Sequence, residues 1–435
     1  MGRKRRHAPL RVLLNNQLVG HFYKEPSGAI TFRYDDAWLN GDYQIPVSLS
    51  LPLREDAYRG EVVSAVFENL LPDSDQIRRR VAEKVGADGV DAYSLLSVIG
   101  RDCVGALQFI PDDTDSIPDT TQIEAEPVTP KEIERILNNL SIAPLGLSRD
   151  QDFRISVAGA QEKTALLYYE GKWWKPTGTT PTTHIMKTKI GTLPNGIDLS
   201  NSIENEFYCL KMMEAFGMNV NKTQIKTFGK TKALVIERFD RKWTKDGKLL
   251  RLPQEDCCQA LSVPPTRKYQ SDNGPSMLDI LGLLKSSDIP FEDQQTFIKA
   301  QMLFWLMGAT DGHAKNFSIH LGSYGRFHLT PLYDILSAQP SLDSRQIERK
   351  QMKLAMSVGD NRHYKIGDIT LRHFIQTADK ANLPKSLVKN VTEEIADTSE
   401  KTIEKLGNKL PKDFPDELHQ SISTAFLSRI TAIRE

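Results

Sequence analysis

The chain lacks nearly every feature that announces a partner from composition alone. Its 56 basic residues are matched by 56 acidic ones, so nothing global argues for nucleic acid or membrane as the main partner, and function must sit in local sites. Cysteine is scarce. Cys103, Cys209, Cys257 and Cys258 lack metal-ligand spacing, and an adjacent pair is no disulfide framework. A reducing, cytoplasmic compartment fits that usage. No run approaches the roughly 20 apolar residues of a membrane span, the N-terminus offers no apolar segment for a secretory signal, and there is no internal repeat. The expectation is a soluble intracellular protein with no membrane partner. The one dense basic run, Gly2-Arg3-Lys4-Arg5-Arg6-His7, reads as a solvated terminus in preference to a phosphate-contacting arm.

What is present is better organised. At 435 residues the chain is long enough for two or three domains with substantial cores. Residues 1–110 read as an N-terminal α/β subdomain, with strands at Leu10 to Leu14 and Ala29 to Tyr34, a turn at Pro26-Ser27-Gly28, helices over Val62 to Leu71 and Ser74 to Val85, and a strand at Val104 to Ile110. Residues 111–150 read as linker and helix: Pro111 to Pro130 is rich in Asp, Thr and Pro, and a helix is expected over Lys131 to Asn139. Residues 151–253 form a β-rich lobe. Residues 254–435 form a helical lobe, with amphipathic patterns at Leu278 to Leu284, Gln294 to Met307, Leu371 to Ala381 and Leu387 to Leu406. The fold class is α+β and two-lobed.

The most informative stretch is Asp311-Gly312-His313-Ala314-Lys315-Asn316, followed by Leu332-Tyr333-Asp334. Asp311 and Asn316 have the spacing of a kinase catalytic loop, in which the Asp accepts the substrate hydroxyl proton and the Asn holds magnesium. Asp334 supplies a second hard oxygen ligand, and Mg2+ needs little more from a protein when a nucleotide brings its phosphates. An apolar helix, Gln301 to Ala309, leads into the loop, and two strands, Phe317 to Leu321 and Arg326 to Thr330, follow it across the turn Gly322 to Gly325. The plain alternative is that Asp-Gly marks only a turn.

A second group lies upstream. Ile155 to Leu167 looks like a strand, a loop of small residues (Val157, Ala158, Gly159, Ala160, Gln161, Glu162, Lys163) and a second strand. Small side chains let backbone N–H groups approach phosphates. The segment ends in Lys-Thr like a P-loop but lacks its second glycine and following helix, so a tight hairpin turn stays open as an alternative. Beyond the hairpin Tyr168 to Trp174, Lys187 ends the strand Thr183 to Lys187, a position suited to a lysine that pairs nucleotide phosphates and is held by a helix glutamate, Glu204 or Glu206; the alternative is a lysine on a solvated edge. The strand Ala233 to Glu237 runs into Arg238-Phe239-Asp240-Arg241, which reads as a hinge whose backbone meets an adenine edge and whose Phe239 packs on the base.

Taken together, Ile155 to Leu167, Glu237 to Arg241, Arg251 to Asp256, Gly308 to Ser318 and Pro331 to Ile335, with Phe67-Glu68-Asn69-Leu70-Leu71-Pro72 upstream, closely resemble the HipA family of serine/threonine kinase toxins. The resemblance spans essentially the whole chain. It implies a protein-kinase-like fold using ATP and Mg2+, with Asp311 as catalytic base, Asn316 and Asp334 as metal ligands, Lys187 on the phosphates, Val157 to Lys163 as the phosphate loop, and Glu237 and Phe239 at the hinge. It also implies that Gln254 and His313 lie near the nucleotide or the reaction centre, and that Ser156 is an autophosphorylation site that switches the enzyme off. The resemblance further implies a toxin–antitoxin system in which glutamyl-tRNA synthetase is phosphorylated and growth stops, in persistence. A small HipB-like helix-turn-helix antitoxin would be the partner, and operator DNA would be bound mainly through it in repression. Two rivals remain: a metal-dependent phosphohydrolase using Asp311, His313 and Asp334 as ligands, and a catalytically inactive corepressor subunit.

Overall fold

The computed structural model describes residues 7–112, 123–147, 155–159 and 161–434. The basic run at residues 2–6, residues 113–122 of the stretch read as a linker, and Ala160 of the phosphate loop lie outside the described residues. The chain packs as two units. The first takes in the residues up to Thr188 with Lys226–Thr266 and Ile319–Phe327; the second takes in Lys189–Ile225, Arg267–Ser318 and the residues from His328 onward.

The first unit opens on an antiparallel sheet in the spatial order Tyr58–Arg59, Ile30–Tyr34, Gln17–Lys24, Leu10–Leu14, Leu107–Pro111. The strands expected from the sequence are there, but Gln17–Lys24 runs between two of them. It is reached by a turn in which Asn15 and Asn16 have φ of 44° and 74°, and two consecutive positive φ values match the twist of a tight hairpin. Gly20 is required in that strand, because a Cβ would stand 2.3 Å from the Arg33 carbonyl oxygen. Helices Glu61–Glu68, Asp75–Val85 and Ala92–Ile99 complete the core. Phe67 gathers it, with its ring 4.5 Å from Phe22, 5.3 Å from Phe109 and 5.7 Å from Phe32.

A second sheet runs in the order Thr223–Phe228, Thr231–Glu237, His184–Lys187, Lys163–Tyr169, Lys172–Pro176, Ala125–Pro127. The stretch read as a linker therefore contributes an edge strand. The helix after it, Pro130–Asn138, starts at a Thr129–Glu132 capping box and packs Ile133 and Leu137 against Leu166, Met186 and Val235. Ile155 and Ser156, expected as the strand ahead of the loop, sit in no ladder. The reason is local: the Ser156 N–H donates to the Asp102 carbonyl at 3.0 Å and its hydroxyl to the Leu70 carbonyl at 2.7 Å.

Past the end of Thr231–Glu237 the alternation of strand side chains continues. Glu237 is exposed and Phe239 half-buried, whereas Arg238 and Asp240 are each 4% exposed. Both acids and three arginines converge there. Asp102 accepts from Arg241 at 2.8 Å, Arg251 at 3.1 Å, Arg238 at 3.3 Å, and from the Thr182 N–H and hydroxyl at 3.0 and 2.7 Å. Asp240 accepts from Arg238 at 2.8 and 3.0 Å and from the Gly105 N–H at 2.7 Å. Carbonyls of Cys103, Gly105 and Thr179 take further guanidinium N–H groups. Burial alone would raise the Asp102 carboxyl, yet Arg241, Arg238 and Arg251 hold it well below the usual carboxylate range.

The second unit is mainly helical, with Ser202–Ala215, Met277–Leu284, Pro290–Met307, Leu371–Lys380, Lys385–Gly407 and Asp416–Arg434. Pro290–Met307, expected as amphipathic over Gln294 to Met307, is instead buried on every face from Phe297 onward, so no polar face separates from an apolar one there. Asp416–Arg434 was not expected. It is rich in Ser and Thr, which are weak helix formers, and tertiary contacts hold it: the Tyr208 hydroxyl meets His419 Nδ1 at 2.8 Å, and Arg429 donates to the Leu306 carbonyl at 2.7 Å. No helix among the described residues is long and apolar enough to cross a membrane.

Two stability predictions follow from the buried acids of the first unit. Asp102→Asn leaves three buried guanidiniums short of a counter-charge and should lower unfolding free energy by about 3–5 kcal/mol; denaturant melts showing a change within about 0.5 kcal/mol would contradict the cluster's role. Glu255 has no arginine beside it, and burial pushes its carboxyl up to about 8 from an ordinary 4.5. Between those values the folded chain keeps a proton that the unfolded chain has released, so this group makes stability fall as pH rises across the window. Glu255→Gln should flatten that slope, and an unchanged slope would assign it to other groups.

Candidate active site

In the second unit, helix Pro290–Met307 ends at Gly308, whose φ of 72° is the left-handed cap that turns the chain out of a helix. Gly312 then lies so close to the helix that a Cβ would stand 2.5 Å from the Phe304 ring. The loop closes on itself: His313 N–H donates to the Asp311 carbonyl at 2.8 Å, Asn316 N–H to the His313 carbonyl at 2.9 Å, and Asn316 Nδ2 to the Asp311 carbonyl at 2.8 Å. The Asp311 side chain is 52% exposed while that of His313 is 4% exposed, with Nε2 4.0 Å from Asp311 Oδ1. Tyr333 ties the next segment to the loop, its hydroxyl donating to the Lys315 carbonyl at 3.0 Å and lying 2.5 Å from Ser318 Oγ. Asp334 follows in the left-handed region with φ 59°, a conformation that costs a non-glycine residue about 1–3 kcal/mol and persists where the surroundings impose it.

In the first unit the loop of small residues is seated on the N-terminal subdomain. Gly159 forms a parallel bridge with Pro72, and its carbonyl accepts from the Asp73 N–H at 3.1 Å. Glu162 pairs with Arg80 at 2.9 Å. Lys163 donates to the Ala158 carbonyl at 2.7 Å, and a Cβ at Gly159, whose φ is 109°, would stand 2.5 Å from its Nζ. Lys163 and Lys187 face each other across neighbouring antiparallel strands, and each is 5% exposed. Directly opposed residues share a face of the sheet, and like charges so placed repel; two buried cations in register are the makings of an anion site. Elsewhere in this unit, Phe239 stands edge-on to His320 at 5.6 Å, and the buried Gln254 leaves Oε1 with no hydrogen-bond partner. Glu237 is opposite His184, whose imidazole burial pushes down to about 4, against a smaller upward pull from Glu237.

The model of the HipA-like C-terminal domain matches residues 155–403, and that of the HipA N-terminal domain matches residues 10–110. The chain belongs to the HipA family. Among its relatives, "Putative kinase Y4mE" of Sinorhizobium fredii is 35% identical over 80% of each chain. The serine/threonine-protein kinase toxin HipA of Shewanella oneidensis is 26% identical over 88% of this chain and 86% of its own. The solved complex of Shewanella oneidensis HipA, HipB and operator DNA matches at a TM-score of 0.81 and 25% identity, covering 98% of this chain and 97% of that one. The two-lobed, kinase-like α+β fold is that of this HipA relative.

For a HipA-family chain the expected site residues fall into two groups. Asp311, His313, Asn316 and Asp334 lie in the second unit; Ser156, Val157 to Lys163 as far as described, Lys187, Glu237, Phe239 and Gln254 lie in the first. Glu204 and Glu206, the glutamates considered for Lys187, are both buried on Ser202–Ala215. Lys187 ends an inner strand, not a solvated edge. The three-ligand set that a phosphohydrolase would draw from Asp311, His313 and Asp334 is not formed among the described residues. Sequence reading passed over Tyr269, whose hydroxyl reaches Asp311, and the Lys163–Lys187 register, which needs the strand pairing. The buried lysines predict affinity for a polyphosphate: Lys187→Met should weaken binding of inorganic triphosphate by roughly 10- to 100-fold, the worth of a charge-assisted contact, and calorimetry that finds equal affinity would remove the lysine from the site.

Proposed function

We propose that this chain is an ATP-dependent serine/threonine protein kinase, the toxin of a toxin–antitoxin pair. The observation that carries the reading is the Asp311–Asn316 loop, in which a half-exposed carboxylate and an amide are locked together by the Asn316 Nδ2 bond to the Asp311 carbonyl. Asp311 orients the acceptor hydroxyl and takes its proton as the γ-phosphoryl leaves ADP. Lys187 and Lys163 hold phosphate oxygens, the N–H groups of Val157, Ala158, Gly159 and Gln161 line the loop, and Glu237, Phe239 and Gln254 meet the base. Asn316 and Asp334 fit a magnesium ion: with Nδ2 turned to the Asp311 carbonyl, the amide leaves Oδ1 as a hard oxygen ligand, and Asp334 is held in an enforced conformation beside it in the fold. A magnesium ion held by these two residues would supply positive charge against the phosphates.

Family membership supports the biological setting. Its HipA relative is solved with HipB and operator DNA, and by that likeness we assign this chain a HipB-like antitoxin and operator DNA reached mainly through it; glutamyl-tRNA synthetase as substrate, in the cytoplasm, is what the family resemblance of the sequence implies. Ser156 as an off switch has a physical basis. Its side chain is fully buried just ahead of the loop, its hydroxyl donating to the Leu70 carbonyl, so a phosphate there, with roughly two negative charges, forces the loop from its seat and takes Lys163 with it.

With purified protein, labelled ATP and glutamyl-tRNA synthetase, Asp311→Gln should abolish transfer while leaving the Kd for ATP within about threefold. Wild-type turnover in that variant would refute the base assignment. A sample phosphorylated at Ser156 should show no calorimetric ATP binding. Binding equal to that of the unmodified chain would contradict the switch.

A further inference from the structure

The segment Arg267-Lys268-Tyr269-Gln270-Ser271-Asp272-Asn273-Gly274 takes no part in the function just described, yet it delivers a side chain to Asp311. The Tyr269 hydroxyl donates to Asp311 Oδ1 at 2.5 Å. Its ring stands edge-on to His313, 4.8 Å between centroids at 86°, and His313 Nε2 approaches the same Oδ1 from 4.0 Å. Both neighbours thus sit on one oxygen of the carboxylate.

The loop that carries Tyr269 is built to stay put. The Tyr269 carbonyl accepts from the Asp272 and Gly274 N–H groups at 3.0 and 2.9 Å, and Gln270 Oε1 accepts from the Ser357 N–H at 2.7 Å, tying the loop to the strand Lys353–Val358. Gly274 has no substitute, since a Cβ would stand 1.9 Å from the Arg267 carbonyl oxygen and 2.6 Å from that of Tyr269. A tyrosine on so fixed a support is a ruler for the group it touches.

We propose that Tyr269 is a positioning residue for phosphoryl transfer, holding Oδ1 of Asp311 so that Oδ2 faces the acceptor hydroxyl. A carboxylate has about four acceptor sites, so engaging one oxygen leaves the other free to take a proton. An exposed aspartate without that restraint samples several rotamers, and only a fraction of them place an oxygen on the acceptor. This inference rests on the reading of Asp311 as the base.

Tyr269→Phe keeps the ring against His313 and removes only the hydroxyl. Turnover is read as labelled phosphate transferred from ATP to a heat-inactivated soluble protein extract, with Asp311→Asn measured alongside. Tyr269→Phe should lose roughly 10- to 100-fold in kcat, the scale of a misplaced reacting group, with the KM for ATP and the melting temperature unchanged. A wild-type rate in Tyr269→Phe beside an inactive Asp311→Asn overturns the inference alone, and so does a faster rate, which would make the hydroxyl a plug. A wild-type chain that transfers nothing, or an Asp311→Asn that transfers as fast as wild type, overturns the reading of the site and the inference with it.

Discussion

The first unit depends on one buried carboxylate. Asp102 is 1% exposed, and its side chain collects Arg238, Arg241, Arg251 and Thr182 while its main-chain carbonyl collects Ser156. Those five partners are the start of the segment beyond the second sheet, the two strands of the hairpin Arg241–Trp243 and Leu249–Arg251, a residue two ahead of the strand His184–Lys187, and the root of the loop of small residues. Each charge loses its water on burial, which is expensive, and the whole is tolerable only because every acid meets more than one guanidinium and carbonyls take the remaining N–H groups. The cluster contributes no side chain to the proposed site, but it fixes segments next to Ser156, Lys187 and Phe239, residues of that site.

The contrast with Glu255 shows what the arginines do. Both acids are buried in the same unit, and burial pushes both upward. Asp102 ends low because three cations face it; Glu255 ends high because only the Leu49 N–H, at 2.8 Å, and a serine hydroxyl oppose the desolvation. Lys163 and Lys187, buried and opposite one another on one face of the sheet, are the basic groups proposed to hold the phosphates.

Much of this was readable before any coordinates. Strands such as Leu10–Leu14 and His184–Lys187, and helices such as Asp75–Val85 and Lys385–Gly407, announce themselves by periodicity and caps, and the Asp311 to Asn316 spacing pointed to the loop that the structure closes with Asn316 Nδ2. What escaped reading was decided by pairing across long sequence distances. Arg238, Asp240 and Arg241 read from sequence only as part of a hinge segment, until Asp102, 136 residues away from Arg238, gathers the arginines. Gln17–Lys24 is concealed by a glycine that a neighbouring strand requires, and Tyr269 lies in a polar loop that no period describes. Local rules report local structure; the cluster, the lysine register and the tyrosine are tertiary facts.

The central claim is that this fold moves phosphate from ATP to protein hydroxyls, with Asp311 taking the proton. The most direct measurement is quantitative phosphoproteomics of cells expressing either the wild-type chain or Asp311→Gln at matched levels. The account predicts new phosphoserine or phosphothreonine sites in the wild-type cells alone, with glutamyl-tRNA synthetase among the modified proteins. Identical phosphoproteomes in the two samples would contradict it.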